Sequence, residues 1–389
     1  MSHRTTSNSI FYIDPQSMIN LAKYDYYLLE NITIPIYYFC SKYYDFEIST
    51  KLHYKKVFSY NKKKHNLGKA LSYIRSYLII LCHVIWIRPK VVHIQWFRLP
   101  LFDYIMVRII KSLGVKVIYT AHNILPHQGN ENKHVKVFYK AYHTFDKIIV
   151  HSQSTKEQMI KEFHLIPDKV IVIYHGILPF NIKKEEYNKI EQIYDKKYNL
   201  KDKIVFSSLG YQNYYKGSDI IAKVWSETPG LNQNKNCVLL TIGKVNDNSI
   251  DLSVLNGLNN VITDFRRIPD EEFIYLLRHT DVYLLPYRSI SQSGALMTVL
   301  PEHIPVLVTC VGGLAEPLDI APIGWKLKKL GEDELRNTLL DLLNNPSKIE
   351  TVKKDIGAWQ KVLQHYSWKQ ISNQTQQLYE MVINKKHNQ

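Results

Sequence analysis

Cysteine is scarce in this chain and badly placed for chemistry. Cys40, Cys82, Cys237 and Cys310 lie far apart in 389 residues, with neither paired nor metal-ligand spacing. That pattern argues against a disulfide scaffold or a zinc module and for reduced thiols in a cytosolic setting. The opening residues MSHRTTSNSIFYID lack the long apolar core of a signal peptide. No Asp-x-Asp pair occurs, so no metal site is expected, and there is neither a repeat of solenoid period nor a low-complexity run. Acidic side chains are also short, 35 against 50 Lys and Arg, for a formal charge of +15.

Such an excess favours an anionic partner. Nucleic acid is not the expected one, because zinc spacing, an RNP-like aromatic pattern and a recognition-helix signature are all missing. An anionic membrane leaflet and an anionic substrate fit the charge better. One apolar stretch, Ala70 to Ile87, approaches the length of a membrane span. Arg75 and His83 interrupt it and its neighbours read as parts of a soluble domain, so a buried or interfacial helix is expected. The basic run before it, Lys51 to Lys69, fits either a segment lying on a bilayer or a solvated loop leading into a core helix.

A chain of this length holds two domains. In the first, Ile10–Ile13, Ile34–Cys40, Val91–Trp96, Lys116–Thr120, Lys147–His151 and Lys169–Tyr174 read as strands separated by helical stretches. That alternation gives a parallel sheet with helices on both faces. Ligands of such sheets bind beyond the carboxyl ends of the strands, where the sequence puts Asp14, His93, Gln95, His122, Asn123, His151 and Ser152. Residues 1–180 are assigned to this domain. From Ile177 to Lys203 the sequence turns charged and loses its apolar period, so a linker is expected at 181–203. A second strand-and-helix series starts at Ile204 and is assigned residues 204–365. In the last segment, 366–389, Trp368 to Ile383 is an amphipathic helix able to cross back onto the first domain.

Asp281 to Glu316, DVYLLPYRSISQSGALMTVLPEHIPVLVTCVGGLAE, has the order strand, loop, helix, strand, loop. A helix opening at Ser293-Gly294 would aim unbonded N–H groups and the positive end of its dipole at a ligand, and Gly294 allows close approach. This is a seat for a diphosphate. Gly312-Gly313 makes a second tight turn, with Glu316 beside it to accept hydroxyl hydrogen bonds. GYQNYYKG, Gly210 to Gly217, delivers Lys216 as a point cation toward phosphate oxygens. In FRRIPD, Phe265 to Asp270, Arg266 or Arg267 supplies a further cation and the backbone at Ile268 a partner for a base edge. YTAHNILPH, Tyr119 to His127, sets His122 and His127 about a proline turn, suited to orienting a sugar hydroxyl or taking a proton. Singly, each has a bland alternative: Lys-Gly is a common helix start, loop arginines are usually solvated, and a strand-end histidine usually serves the structure.

In their order and spacing these segments resemble a glycosyltransferase of the GT-B fold, near the family 4 group. The matching stretches are HN-x-x-PH at His122 to His127, DKIIVHS at Asp146 to Ser152, GYQNYYKG, RIPDEE at Arg267 to Glu272, the Asp281–Glu316 segment, and YSW at Tyr366 to Trp368. The resemblance implies two Rossmann-like domains facing across a cleft, with the C-terminal helix crossing back to the first. It implies a nucleoside-diphosphate sugar on the second domain, with no other cofactor. Lys216 and the backbone N–H groups of Ser293, Gly294 and Ala295 would hold the diphosphate. Gly210, Asn213, Gly243, Arg267, Ile268 and Gln292 would line the donor, with Thr298 and Glu316 at sugar or ribose hydroxyls. His122 falls against the transferred sugar, and Asp14, His93, Asn123 and His127 on the acceptor side. His122, Lys216 and Glu316 are the catalytic candidates. Three departures stand out. Relatives carry two glutamates near the nucleotide helix where Ile290 and Thr298 stand, an arginine where Tyr211 and Asn213 stand, and a glycine-rich loop after the first strand that is missing here. Pro301 also falls where it would break a helix begun at Gly294.

The expected activity is metal-independent transfer of a hexose-type sugar to a glycan or lipid-linked saccharide in surface polysaccharide biosynthesis, in the cytoplasm or on the inner face of the membrane. Inversion would need a base such as His122 or Asp14, whereas retention would use the leaving phosphate. Two other readings stay open: a nucleotide-sugar epimerase, which converts its donor with no acceptor present, and a non-catalytic membrane-surface protein, which binds liposomes but no nucleotide.

Overall fold

The computed structural model describes residues 9–18, 20–46, 52–59, 66–124 and 131–384. They divide into two compact units, Met1–Gly176 with Tyr366–Gln389, and Ile177–His365.

The first unit is built on seven strands: β1 Ile10–Ile13, β2 Ile36–Ser41, β3 Leu52–Phe58, β4 Val91–Ile94, β5 Lys116–Thr120, β6 Lys147–Val150 and β7 Val170–Val172. All pair in parallel, in the order β3-β2-β1-β4-β5-β6-β7. The segments IFYI, VVHI and KIIV are buried along their whole length, as strands covered by helices on both faces must be. Strand order reverses between β1 and β4, so a crevice opens beyond their carboxyl ends. The terminal helix Trp368–Asn384 belongs to this unit. Ser372 Oγ donates to Leu28 O (2.7 Å), and Gln376 Oε1 accepts from Thr33 N (2.9 Å).

Over 52–58 the basic run Lys51–Lys69 is not a loop but the edge strand β3. Leu52 and Phe58 turn inward while Lys55 and Lys56 stay exposed, and lysines on an edge strand discourage further pairing. Residues 60–65 lie outside the described residues. The helix that follows, Asn66–Ile87, is long and apolar enough by length and composition to cross a membrane. One side of it, Tyr73, Tyr77, Ile80 and Val84 at helical spacing, packs into the core. The opposite side stays bare, with Leu67 73% and Trp86 83% exposed alongside Leu71, Leu78 and Ile85.

The second unit carries β8 Ile204–Leu209, β9 Cys237–Ile242, β10 Val261–Asp264, β11 Val282–Leu285, β12 Val306–Thr309 and β13 Gly324–Leu327. This sheet is also parallel, in the order β10-β9-β8-β11-β12-β13, and its reversal lies between β8 and β11. The linker expected at 181–203 is instead occupied by a helix, Lys184–Tyr198, of this unit. Its sparse buried side, Ile190 and Tyr198, hides the apolar period. Tertiary bonds fix it: the buried carboxylate of Glu272 accepts from Tyr198, Lys197 and Arg266. Late in the unit two helices, Pro346–Lys354 and Ile356–His365, follow one another. The break is at Asp355, whose Oδ1 accepts from Ala358 N (2.9 Å).

Candidate functional site

In the second unit the turns after β8 and β9 interlock. Gly210 has φ +98° and Gly243 φ +129°, and a Cβ on Gly243 would lie 2.0 Å from Gly210 O. Only glycine fits there. The buried Gln212 amide ties the turn together, donating to Ser208 O (2.9 Å) and Gly210 O (3.0 Å) while Oε1 accepts from Ser218 Oγ (2.8 Å). Asn213 Oδ1 then caps Lys216 N (3.2 Å), closing the one-turn segment Tyr214–Lys216. Asn213, expected as a donor contact, is thus a buried turn cap. The turn sends the Lys216 side chain back over its own start, with Nζ 3.9 Å from where a Gly210 Cβ would be and 5.9 Å from the Tyr287 ring centroid. Among the described residues no carboxylate pairs with this ammonium. Removal from water lowers its pKa from 10.5 to about 8.

The other side of the switch point is the loop after β11. Arg288 N donates to Tyr215 O (2.7 Å). The Arg288 guanidinium grips Asp219 through two bonds (2.7 and 2.8 Å) and lies 3.7 Å over the Tyr214 ring. This clamp fixes the Lys216 turn against the β11 loop. Tyr287 hydrogen-bonds Ser293, and Ser293 Oγ accepts from Leu296 N (3.2 Å), capping Gly294–Val299. The helix has only six residues. Pro301 sits in the separate turn Leu300–Glu302 and ends the helix rather than kinking it. A six-residue helix carries little macrodipole, so what remains for an anion is local. The Gly294 and Ala295 N–H groups have no acceptor among the described residues, and nothing lies within 4 Å of a Cβ built on Gly294.

Around this centre the other candidates differ. Gln292 is half-buried in the same loop. Thr298 Oγ1 donates to Gly294 O (2.9 Å), so its hydroxyl proton is committed within the helix. Gly313 N reaches Ser291 O (3.3 Å), bringing the turn before Glu316 against this loop; Glu316 is half-buried at the head of Glu316–Ile320. Arg267 is exposed and Ile268 half-buried after β10. That strand is two places from β8, about 10 Å across the sheet. Arg266 is taken by Glu272 and Asp264 and serves the fold. Sequence reasoning passed over Gln212, Asp219, Tyr287 and Arg288.

In the first unit the strand ends are crowded with partnered groups. Asp14 is buried and hydrogen-bonded to Asp25, and burial raises both carboxyls, Asp25 to about 6. Tyr12 and Tyr38 donate to Asp25 at 2.6 and 2.5 Å. His93, expected on the acceptor side, has no exposed surface; its ring nitrogens lie 2.7 Å from Tyr379 Oη and 2.7 Å from Thr120 Oγ1. It is a core group because it points down from within β4, where both sheet faces are covered. His122 is half-buried, stacked flat on Trp96 (4.3 Å, 9°) with the Tyr24 ring edge-on at 5.3 Å. Its nitrogens lie 2.9 Å from the Gln95 amide and 3.2 Å from His151. Burial holds His122 well below the usual range, His93 and His151 at about 3 and His175 at about 4, so all four rings are neutral. Asn123 is half-buried beside His122, and His127 lies outside the described residues.

The family model for Glycosyltransferase Family 4 matches residues 36–179. An uncharacterized glycosyltransferase of Methanocaldococcus jannaschii is 23% identical over 248 residues, 61% of this chain and 60% of that protein. The match thus spans under two thirds of that relative. A glycosyltransferase from Rickettsia africae superposes with a TM-score of 0.65 at 14% identity, over 97% of this chain and 98% of that one. HepE of Anabaena, solved in complex with UDP-glucose, gives 0.65 at 12% identity, over 96% and 99%. The architecture is that of GT-B glycosyltransferases.

Proposed function

We propose that this chain, a GT-B protein of the glycosyltransferase family 4 type, moves a hexose-type sugar from a nucleoside-diphosphate sugar to a glycan or lipid-linked saccharide of a surface polysaccharide. One observation carries the reading: a lysine drawn out of water with no acid beside it, at the strand-order reversal of the second sheet. A cation half withdrawn from water, with no acid beside it among the described residues, is costly to keep, and an anionic ligand relieves that cost. As the bond from C1 to the diphosphate breaks, negative charge grows on the leaving phosphate oxygen. In this reading Lys216 and the Gly294 and Ala295 amides meet that charge, and the reaction calls for no metal. The acceptor hydroxyl forms the new bond to C1 and gives up its proton.

Neither first-unit base is free to take that proton. Asp14 shares its carboxyl with Asp25, and burial holds His122 so far below its usual range that the ring accepts a hydrogen bond without taking up the proton. This supports the route in which the leaving phosphate is the base and the anomeric configuration is retained. The complex of HepE supports a uridine donor as the first probe. A thermal-shift series of UDP-, GDP- and other nucleotide sugars identifies the donor, since a ligand bound by the native state alone raises its melting temperature. Product configuration is then read by NMR. Conversion of the donor with no acceptor present would instead indicate an epimerase.

The bare side of Asn66–Ile87 supports a place at the inner membrane surface. Leu67, Leu71, Leu78, Ile85 and Trp86 are exposed beside Arg75. Apolar area with a basic surround suits anionic lipid. Flotation with anionic vesicles should capture the protein, and Leu71→Glu with Leu78→Glu should release it; capture undiminished by the pair removes this face from the account.

A further inference from the structure

A line of hydrogen bonds crosses the carboxyl edge of the first sheet, and its proton count has one solution. At one end His151 Nδ1 lies 2.8 Å from Ile173 O, and a carbonyl only accepts. His151 Nδ1 therefore carries hydrogen, and in a neutral ring Nε2 is then an acceptor. That nitrogen is 3.2 Å from His122 Nδ1, which must donate. His122 Nε2 is left as a lone pair, 2.9 Å from the atom assigned as Gln95 Oε1, an assignment in which the amide oxygen and nitrogen are interchangeable. With the oxygen kept there, two rings between two oxygen acceptors would need three hydrogens and hold a positive charge. Tyr24, Trp96 and His175 surround these rings, and among the described residues no carboxylate faces them to balance such a charge. The amide NH2 of Gln95 therefore faces His122, the choice of amide orientation being fixed by the network.

The remaining bonds agree. With the Gln95 oxygen turned the other way, it accepts from Thr120 Oγ1 (3.2 Å), which accepts from His93 Nε2 (2.7 Å), while His93 Nδ1 accepts from Tyr379 Oη (2.7 Å). Every donor from Tyr379 to Ile173 O points the same way, and bonds aligned in this manner polarise one another.

We propose that His151 is a positioning residue: by accepting from His122 Nδ1 and donating to Ile173 O, it holds His122 in the Nδ1–H tautomer. His122 Nε2, covered here by the Gln95 amide, is then the acceptor for a sugar hydroxyl that takes the amide's place. The first half rests on geometry alone; the hydroxyl rests on the proposed glycosyl transfer. Without His151 an imidazole is free to put its hydrogen on Nε2, where it would oppose a donating hydroxyl. The hydroxyl comes from the donor sugar or from the acceptor glycan, and separate KM values distinguish them.

The test is long-range 1H–15N correlation NMR of the full chain labelled at histidine, without ligand. The wild-type spectrum should show His122 with a pyrrole-type Nδ1 and a pyridine-type Nε2. His151→Leu should lose that signature. His151→Gln, whose amide also accepts from one side and donates to the other, should keep it. In transfer assays His151→Leu should raise KM for one substrate by about tenfold, the scale of one hydrogen bond, with kcat less affected and His151→Gln near wild type. A wild-type His122 protonated at Nε2 overturns the assignment. An altered tautomer in His151→Leu with both KM values unchanged overturns the hydroxyl role. If no nucleotide sugar binds the wild type, the proposed activity falls, while the ligand-free spectrum still decides the tautomer. If His151→Leu does not fold, Gln95→Met exposes Nε2 and should leave the wild-type tautomer in place.

Discussion

The two sheets end in opposite kinds of chemistry. Beyond the first sheet the titratable groups are paired with one another, and burial keeps the rings of His93, His122 and His151 neutral and raises the carboxyls of Asp14 and Asp25. Beyond the second, Lys216 is half-buried and has no acid partner among the described residues, nor do the Gly294 and Ala295 amides have an acceptor among them. A satisfied network fixes shape; an unsatisfied cation waits for an anion. Mutations should therefore separate, with losses of stability on one side and losses of ligand on the other.

The largest effect is expected where the second-unit turns touch. Gly243→Ala would push a Cβ to 2.0 Å from Gly210 O and should destabilise the protein by about 2 kcal/mol or more while removing UDP binding; chemical denaturation and calorimetry read both. Next comes Tyr379→Phe, which strips His93 Nδ1 of its donor. It should lower stability by about 1–2 kcal/mol yet leave UDP affinity unchanged, and a matching loss of affinity would break the distinction. The smallest effect is in pH. Lys216 sits at about 8 when free, so above that pH binding an anion requires proton uptake, and UDP affinity should decline by up to about tenfold per pH unit. Below pH 8 affinity should be flat. Lys216→Arg, charged throughout, should show no decline.

Much of this was legible in the sequence because parallel strands buried on both faces are written as apolar runs. Ile204–Leu209, Cys237–Ile242 and Lys116–Thr120 stand where those runs place them. Leu52–Phe58 was hidden because an edge strand is free to be lysine-rich, and Lys184–Tyr198 because its hold on the unit is a set of bonds to Glu272. At the site, Gly210 and Lys216 were readable from turn chemistry. The Arg288–Asp219 clamp was not, since its partners are 69 positions apart. His93 was misplaced because a strand residue and a strand-end residue look alike in sequence, while one is in the core and the other at the surface.

Calorimetric titration of UDP into the wild type and Lys216→Met tests the central claim most directly. The account predicts that the variant loses about a hundredfold in affinity, on the scale of removing one preorganised charge contact, and melts no lower than the wild type because a half-buried charge with no acid partner among the described residues has gone. Undiminished affinity in a folded Lys216→Met protein would contradict it.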